Sequence, residues 1–211
     1  MLDVSHPVEA GFVASLARPG GNITADQPAQ RYRGKALRAV AGSQLGLTRI
    51  AVLYTPSNAG SALGMKEQEE FAKQHGATLV PVPINTAADV ETAFSVITRE
   101  RAQALHIHPT PVTSTHRVRI AALAAEHRLP SITAFKVFVR DGVLMSYGPD
   151  QVESWRRIAA YVDRILRGAS PGDLPVEQPT KFELHINVRT AKAIGIIVPP
   201  PLLARADGVI K

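Results

Sequence analysis

The chain of 211 residues has a formal charge of +6, and 45% of its residues are hydrophobic, which is typical of a globular protein with a buried core. It contains no cysteine, which excludes disulfides, thiolate nucleophiles and cysteine metal sites. Its basic residues stand in scattered pairs without aromatic interleaving, so we expect a solvated basic surface and no nucleic-acid partner.

The first predicted element is a helix near the amino terminus. The tripeptide Ser5-His6-Pro7 is typical of a helix start, because Ser caps helices and Pro is favoured in the first turn. Apolar residues then recur on one helical face as far as Leu16, and the turn that starts at Pro19 ends the pattern. This helix has no strand before it, which is unusual in an α/β unit. A second helix is predicted from Ala29 to Leu45.

The middle of the chain alternates short apolar runs with amphipathic patterns. The predicted strands are Arg49–Tyr54, Thr78–Ile84, Ala104–His108 and Ser131–Phe135. The predicted helices between them are Ala62–His75, Ala88–Arg99 and Thr115–His127. Successive β-then-α units of this length predict a doubly wound parallel sheet with right-handed crossovers.

The carboxyl-terminal third has a different pattern. Its predicted elements are an extended segment Gly142–Pro149, a helix Gln151–Arg167, a connector Gly168–Pro179, a strand Phe182–Val188, a helix Arg189–Ile194 and a proline-rich tail. These elements and the amino-terminal helix need a partner sheet, and the sequence has no obvious strands to supply one. We infer two lobes, one of them incomplete.

Polar side chains follow three of the predicted strands, where ligands bind in open α/β sheets. Hydroxyl and amide groups beside a helix N-terminus suit a ligand carboxylate. The candidates after the first strand are Thr55, Ser57, Asn58 and Ser61; those after the third are Thr110, Thr113 and Ser114; and those after the fourth are Phe135 and Lys136.

The predicted site has one alternative explanation and one further group of candidate residues. Asn58 or Ser61 could simply cap the helix, a role that needs no ligand. Three aromatic side chains are placed to pack on an apolar or aromatic ligand, although residues of this kind more often belong to a core: Tyr54, Phe135 and Tyr147.

Catalytic and metal sites are not predicted. His106 and His108 share a strand face with His116 nearby, but no carboxylate accompanies them, so we expect ordinary hydrogen bonds and no metal. A Gly-x-Ser-x-Gly nucleophile elbow and a phosphate-binding glycine loop are both absent. We therefore expect a protein that is not an enzyme and that uses no cofactor.

Three stretches carry a resemblance to a known family. Residues 6–24 read HPVEAGFVASLARPGGNIT, residues 174–195 read LPVEQPTKFELHINVRTAKAIG, and residues 200–208 read PPLLARADG. They resemble the SDPV..GLV.SLARPGGN.TG, LPVEQPTKFEL.IN..TAKALG and PPSLLARAD segments of ABC-transporter substrate-binding proteins of the tryptophan/tyrosine-binding type. In that pattern His6 stands where Asp is usual and Ala25 where Gly is usual.

The resemblance implies a periplasmic-binding-protein-like fold of type I. Residues 29–145 would form a complete α/β lobe with a doubly wound parallel sheet. Residues 1–28 and 146–211 would form an incomplete second α/β lobe, whose opening elements, with any signal peptide, we expect upstream of Met1. The facing wall of the ligand site would then also lie in those upstream elements, apart from Ser5, His6 and Tyr147.

The resemblance also implies the function: binding of an aromatic or related amino acid, or a small organic acid, in a cleft that closes by hinge motion. The implied partners are ABC permease subunits, and the implied location is the periplasm, although no signal-peptide pattern is visible in this chain. The alternative is a truncated fragment that binds no solute and forms a homodimer, or swaps segments, through its incomplete lobe.

Overall fold

The computed structural model describes residues 2–3, 6–26 and 47–211. Ser5 and the predicted helix Ala29–Leu45 therefore lie outside the described residues. The chain divides into two compact units. The terminal unit consists of the described residues within 1–30 and 149–182, and the sheet unit of those within 31–148 and 183–211.

Strands and helices alternate along much of the described chain. The strands are Leu2–Asp3 (β1), Ala25–Asp26 (β2), Arg49–Tyr54 (β3), Thr78–Pro83 (β4), Ala104–Ile107 (β5), Ser131–Thr133 (β6), Met145–Pro149 (β7), Phe182–Asn187 (β8) and Gly208–Ile210 (β9). The helices are Ala59–Gln74 (α1), Asp89–Arg99 (α2), Pro111–Thr115 (α3), Arg117–Glu126 (α4), Lys136–Arg140 (α5), Gln151–Leu166 (α6), Val188–Ala193 (α7) and Pro200–Ala204 (α8). Among the described residues, no helix has the length and apolar character needed to cross a bilayer.

The sheet unit is built on seven strands in the order β4-β3-β5-β6-β7-β8-β9. The pairs β3/β4, β3/β5, β5/β6, β6/β7 and β8/β9 are parallel, which confirms the predicted parallel α/β sheet. Side chains alternate between the two faces of a strand. Accordingly, Ala51 and Leu53 of β3 pack in one core cluster and Ile50 packs in another. Burial on both faces explains why β3 is apolar without interruption from Ile50 to Leu53.

The strand order reverses between β3 and β5. The chain leaves β3 to form β4 at the edge of the sheet and then returns to the other side of β3 to form β5. The carboxyl ends of β3 and β5 are thus neighbours, and the loops that follow them lead to α1 and α3. Such a reversal opens a crevice in doubly wound sheets.

Residues 183–211 belong to the sheet unit, whereas the expected boundary grouped all of 146–211 with 1–28. Strands β8 and β9 extend the sheet beyond β7. Ile186 is fully buried in the same core cluster as Ile132 and Leu144, and the Asn187 side-chain amide donates to the Val139 carbonyl at 2.9 Å. The apolar face of β8 is therefore buried against residues of the central sheet.

The predicted helix that starts at Pro7 is wrong. The described residues from His6 to Thr24 form turns, and both His6 and Gly11 have positive φ, at 61° and 74°. The Pro7 carbonyl accepts from the amides of Phe12 and Val13 instead of continuing an α-helical ladder. A left-handed residue in the middle of the predicted stretch ends a helix after one turn.

Two further predictions near strand ends need correction. Most of α3 lies in the segment 109–114, between the predicted strand Ala104–His108 and the predicted helix Thr115–His127, and the helix that follows starts only at Arg117. Pro111 at the first helical position and a capping box between Thr110 and Thr113 start α3 early. In the tail, α8 and β9 were not predicted, because each is five residues or shorter.

The terminal unit is held by hydrogen bonds between its two chain segments. The Thr24 hydroxyl donates to the Leu174 carbonyl at 2.9 Å, and the Val176 amide donates to the Leu16 carbonyl at 2.7 Å. Val13 and Val176 are buried together in a small core cluster. The connector predicted at 168–179 is therefore ordered, and it includes a single 3₁₀ turn at Pro171–Asp173.

We expect Gly148→Ala to destabilise the sheet unit, because a Cβ at Gly148 would lie 2.1 Å from the Ala134 carbonyl oxygen. Overpacking of this kind costs about 1–3 kcal/mol. Urea unfolding monitored by circular dichroism measures the loss. Gly21→Ala is the control, since a Cβ there meets nothing within 4 Å. Equal stability of the two variants would contradict the close contact between β7 and the Ala134 backbone.

We expect Asp150, the N-cap of α6, to make stability depend on pH in the acid range. The Lys181 ammonium, 2.8 Å from the carboxylate, lowers the pKa of Asp150 from 3.8 to about 2, and the Val152 amide contributes. Because the folded pKa lies below the unfolded pKa, this stabilisation is complete above about pH 4 and disappears as the pH falls through 2.

Asp150→Asn keeps a capping oxygen but removes the ionisable group. Between pH 5 and pH 2 the parent chain should therefore lose up to about 2 kcal/mol more unfolding free energy than the variant. Asp163→Asn serves as the control, because the Asp163 carboxylate is 58% exposed and pairs with Arg167 at the surface. A parent-like pH slope in Asp150→Asn would show that the Lys181 contact stabilises nothing.

Candidate functional site

The loop between β3 and α1 contains four of the predicted site residues. Thr55 and Ser61 are buried, whereas Ser57 and Asn58 are exposed. Asn58 is the N-cap of α1, and its Oδ1 accepts from the Ser61 amide at 2.9 Å. Asn58 therefore has the capping role that was considered from the sequence. Ser57, which is exposed beside the helix N-terminus, takes no part in this cap.

The loop between β5 and α3 contains a reciprocal cap. Thr110 Oγ1 accepts from the Thr113 amide at 3.3 Å, and Thr113 Oγ1 accepts from the Thr110 amide at 2.8 Å. The Thr113 hydroxyl also donates to the His108 carbonyl at 2.7 Å. Ser114 is half-buried, and its amide donates to the Thr110 carbonyl at 2.9 Å. These bonds fix the backbone where β5 ends.

The two loops meet where the strand order reverses. Thr55 Oγ1 lies 2.9 Å from Thr110 Oγ1, so one hydroxyl donates to the other across the carboxyl ends of β3 and β5. The structure thus brings together Thr55, Ser61, Thr110 and Thr113, as expected from loops at the same edge of a parallel sheet. All four side chains are buried, so they shape the site from beneath.

A buried hydrogen-bond network that the sequence analysis missed supports this edge. Gln68 of α1 lies between two histidines: its Oε1 is 2.8 Å from His106 Nδ1, and its Nε2 is 3.0 Å from His108 Nε2. On its other side, His108 Nδ1 lies 3.0 Å from Ser61 Oγ, which also accepts from the Thr55 amide at 3.2 Å. The network therefore runs from the strand interior to the loop after β3.

The hydrogen-bond partners in this network determine which atoms donate and which accept. With the Gln68 carbonyl oxygen towards His106, the His106 Nδ1–H donates and the Gln68 amide donates to His108 Nε2. His108 must then be neutral, with its proton on Nδ1 and donated to Ser61. A neutral imidazole suits a position that is 3% exposed.

One sequence signal could have found Gln68. The buried face of α1 consists of Ser61, Gly64, Met65, Gln68 and Ala72, at helical spacing. A glutamine in the centre of an apolar stripe requires a buried polar partner. His106 of β5 and His108 just beyond it are the partners of Gln68, which agrees with the ordinary hydrogen-bonding role predicted for them. Among the described residues, no group of three or more histidine, cysteine or acidic residues could hold a metal.

The residues after β6 have other partners. Lys136, the first residue of α5, places its Nζ 3.0 Å from Glu183 Oε2, and the same oxygen lies 3.2 Å from His185 Nε2. Phe135 is partly buried against the main core cluster of the sheet. The Lys136 charge is therefore balanced within the protein.

The remaining predicted residues are placed as follows. Tyr54 ends β3 and is half-buried, and Tyr147 of β7 is half-buried beside the core cluster that contains Ile186. His6 belongs to the terminal unit, has a positive φ and is 2% exposed. Ser5 is outside the described residues. The carboxyl edge of the sheet unit is thus the part of the predicted site that the structure assembles.

Comparisons with known proteins agree with this fold. The chain is similar to a tyrosine-binding protein of Clostridioides difficile (strain R20291), with 27% identity over 196 residues. That alignment covers 93% of this chain and 56% of the relative, so the chain spans about half the length of this curated relative.

Solved structures extend the similarity. A conserved domain protein from Vibrio cholerae has 27% identity and a TM-score of 0.87, over 96% of this chain and 68% of that one. An ABC domain in complex with L-Trp from Streptococcus pneumonia has 24% identity and a TM-score of 0.86, over 97% and 68%, and shows the fold alone.

The family itself is shown by the match of residues 1–210 to the model described as ABC transporter substrate binding protein. A glucose-galactose binding protein from Geobacillus stearothermophilus and a periplasmic binding protein/LacI transcriptional regulator from Alkaliphilus metalliredigens share the fold more distantly, at TM-scores of 0.56 and 0.55, which confirms the predicted periplasmic-binding-protein-like class. The chain belongs to the family of ABC transporter substrate binding proteins.

Proposed function

We propose that this chain is the solute-binding component of an ABC importer and that its ligand is an aromatic or related amino acid, or a small organic acid. One observation carries the proposal. The Thr55–Thr110 contact joins the carboxyl ends of β3 and β5 at the reversal of strand order, where doubly wound sheets bind ligands.

The groups left for a ligand at this edge suit a carboxylate. Helix α1 has 16 residues, and its N-terminus carries a partial positive charge. Ser57 and Asn58 are exposed beside it, one with a hydroxyl and the other with a side-chain amide. A carboxylate at this point would accept hydrogen bonds without displacing the buried network. Thr55, Ser61, Thr110 and Thr113 then act as supports that hold the loops in place.

The aromatic part of the proposed ligand rests on two observations. The half-buried rings of Tyr54 and Tyr147 lie in strands β3 and β7 and could pack on an apolar or aromatic group. Two similar proteins are described as binding tyrosine and L-Trp. Phe135 and Ser114 are half-buried at the same end of the sheet and complete the proposed contact set in this unit. Ser5 and His6 remain predictions from the sequence alone.

The proposed mechanism is binding without chemical change. Ligand would favour a closed form of the protein by the extra contacts it makes there, and a permease would recognise that form. A place outside the cytoplasmic membrane, extracellular or periplasmic, follows from the same role. No enzymatic step, metal or cofactor is part of the proposal.

We expect titration calorimetry to detect one or more ligands in a panel of L-Trp, L-Tyr, L-Phe and aromatic organic acids, and we expect a weaker signal for L-Leu. Aromatic contacts contribute about 0.5–1.5 kcal/mol beyond their buried area. A rise in thermal midpoint with ligand concentration should accompany the heat, since a ligand that binds the folded state stabilises it. Silence of the whole panel in both assays would overturn the proposed function.

We expect Ser57→Ala to weaken binding of a carboxylate ligand about tenfold, because a hydrogen bond to a charged group contributes roughly 1.5 kcal/mol or more. The unliganded stability should hardly change, since Ser57 is exposed. Ser95→Ala is the matched control, because Ser95 is an exposed serine of the same unit, on α2. Equal affinities for the two variants would remove Ser57 from the site.

A further inference from the structure

Strand β4 is the last strand at one end of the sheet, and β3 is its neighbour in the sheet order. The Thr78 amide donates to the Thr48 carbonyl at 2.7 Å, and the Ile84 amide donates to the Tyr54 carbonyl at 2.9 Å. Backbone groups alternate in direction along a strand, so the N–H groups at even positions of β4 point to β3 and those at odd positions point away. We call the odd positions from 77 to 85 the outer edge of β4.

The two ends of the outer edge are closed by hydrogen bonds within the chain. The Ala77 amide donates to the Ala72 carbonyl of α1 at 2.9 Å. The amides of Asn85 and Thr86 both donate to Asp89 Oδ2, at 2.8 and 2.9 Å. These two bonds hold the pKa of Asp89 below its ordinary value, so the carboxylate is ionised and accepts both bonds at neutral pH. Neither end therefore offers an N–H to a further strand.

The middle of the outer edge is closed by two prolines. Pro81 and Pro83 are exposed and have no backbone N–H, whereas Val80 and Val82 are buried in the main core cluster of the sheet. Within the described chain, Leu79 is the one position of the outer edge whose N–H no hydrogen bond uses. The edge therefore presents the carbonyls of Leu79, Pro81 and Pro83 but a single donor.

The prolines leave the pairing of β4 with β3 intact. Their missing N–H groups would have pointed outwards, so the ladder between β3 and β4 loses no bond. Proline also favours an extended residue before it, which is the conformation of Val80 and Val82 in β4. Because the ring occupies the place of the N–H, it obstructs a strand that would lie about 4.8 Å away. Both residues thus act on the outer edge alone.

We propose that Pro81 and Pro83 close the outer edge of β4 against a second copy of this chain. An edge strand with free donors and acceptors is a template for pairing with another molecule. Without its prolines, Thr78–Ile84 would be an uncharged run of high β-propensity, which is the pattern that favours such pairing. The obstruction lies in the backbone of β4 itself, so it acts on any extended segment that approaches this edge.

The double change Pro81→Thr with Pro83→Thr tests this role, and it needs no solute. It restores two outward N–H groups beside that of Leu79 and adds polar side chains that suit a strand. In sedimentation velocity the double variant should associate at a concentration roughly tenfold or more below that of the parent chain. Each single variant restores one donor and should fall between the two.

The Leu79 amide reports on the outer edge in every variant. Hydrogen–deuterium exchange followed by NMR should show a Leu79 exchange rate that is independent of concentration in the parent chain. In the double variant this rate should fall as the protein associates. Pro201→Thr is the matched control, because Pro201 is an exposed proline of the same unit that lies in helix α8 and not in a strand. It should behave as the parent chain does.

Three results would overturn the proposal. The first is a Leu79 amide that becomes protected with concentration in the parent chain, which would show that the edge already pairs. The second is a folded double variant, checked by circular dichroism, that associates no more than the parent chain. The third is a double variant that associates while its Leu79 exchange is unchanged, because another surface would then be responsible. The first measurement decides even where the double variant does not fold.

Discussion

The hydrogen bonds of His108 are the interaction on which the candidate site depends. His108 stands just beyond β5 and contacts two residues of α1, Gln68 and Ser61, while Ser61 accepts from the amide of Thr55. A buried polar group that loses its partner costs about 1–3 kcal/mol. Each member of this network is at most 5% exposed, so none can exchange its partner for bulk water. The loop after β3 is therefore held in one conformation by groups from the neighbouring strand.

This constraint explains why two separate loops act as one edge. Thr55 and Thr110 are 55 positions apart in the chain, yet their hydroxyls are 2.9 Å apart. The sheet brings the ends of β3 and β5 together, and the network below them prevents the loops from moving independently. A site fixed in advance loses less conformational entropy when a ligand binds. In the proposed function, the polar core beneath the site would thus contribute to affinity without touching a ligand.

Much of the fold could be predicted because two periodicities alternate along residues 49–135. Runs such as Ile50–Leu53 are too short and too β-branched for a helix, and the segments between them have a helical pattern. The meeting of the candidate loops at one edge could be predicted for the same reason, since parallel strands end on one side of a sheet. Gln68 was missed because it was assessed as part of an amphipathic helix and not as a polar residue on a buried face.

The errors have physical causes of their own. The segment after Pro7 has helical spacing of apolar residues, but Gly11 takes a left-handed conformation there. Strand β9 is three residues long, which is too short for a periodic signal, and it forms because β8 supplies a parallel partner. Tertiary pairing decided these segments, and no local pattern records it. The grouping of 183–211 with the sheet follows from the same pairing.

The charges at the carboxyl edge of the sheet distinguish two positions that could bind a ligand carboxylate and that the sequence alone could not rank. Both Lys136 and the N-terminus of α1 could attract a carboxylate. Lys136, however, is paired with Glu183, whose side chain is only 14% exposed, and that carboxylate also contacts His185. If Lys136 moved towards a ligand, the partly buried Glu183 carboxylate would lose its cation. The free-energy cost of that unpaired carboxylate exceeds the free energy gained from an exposed ion pair between Lys136 and the ligand. The N-terminus of α1 carries no such cost, because its partial charge is fixed in the backbone. We therefore infer that α1 holds the ligand carboxylate, while Lys136 joins α5 to β8 and stabilises the added strands of the sheet.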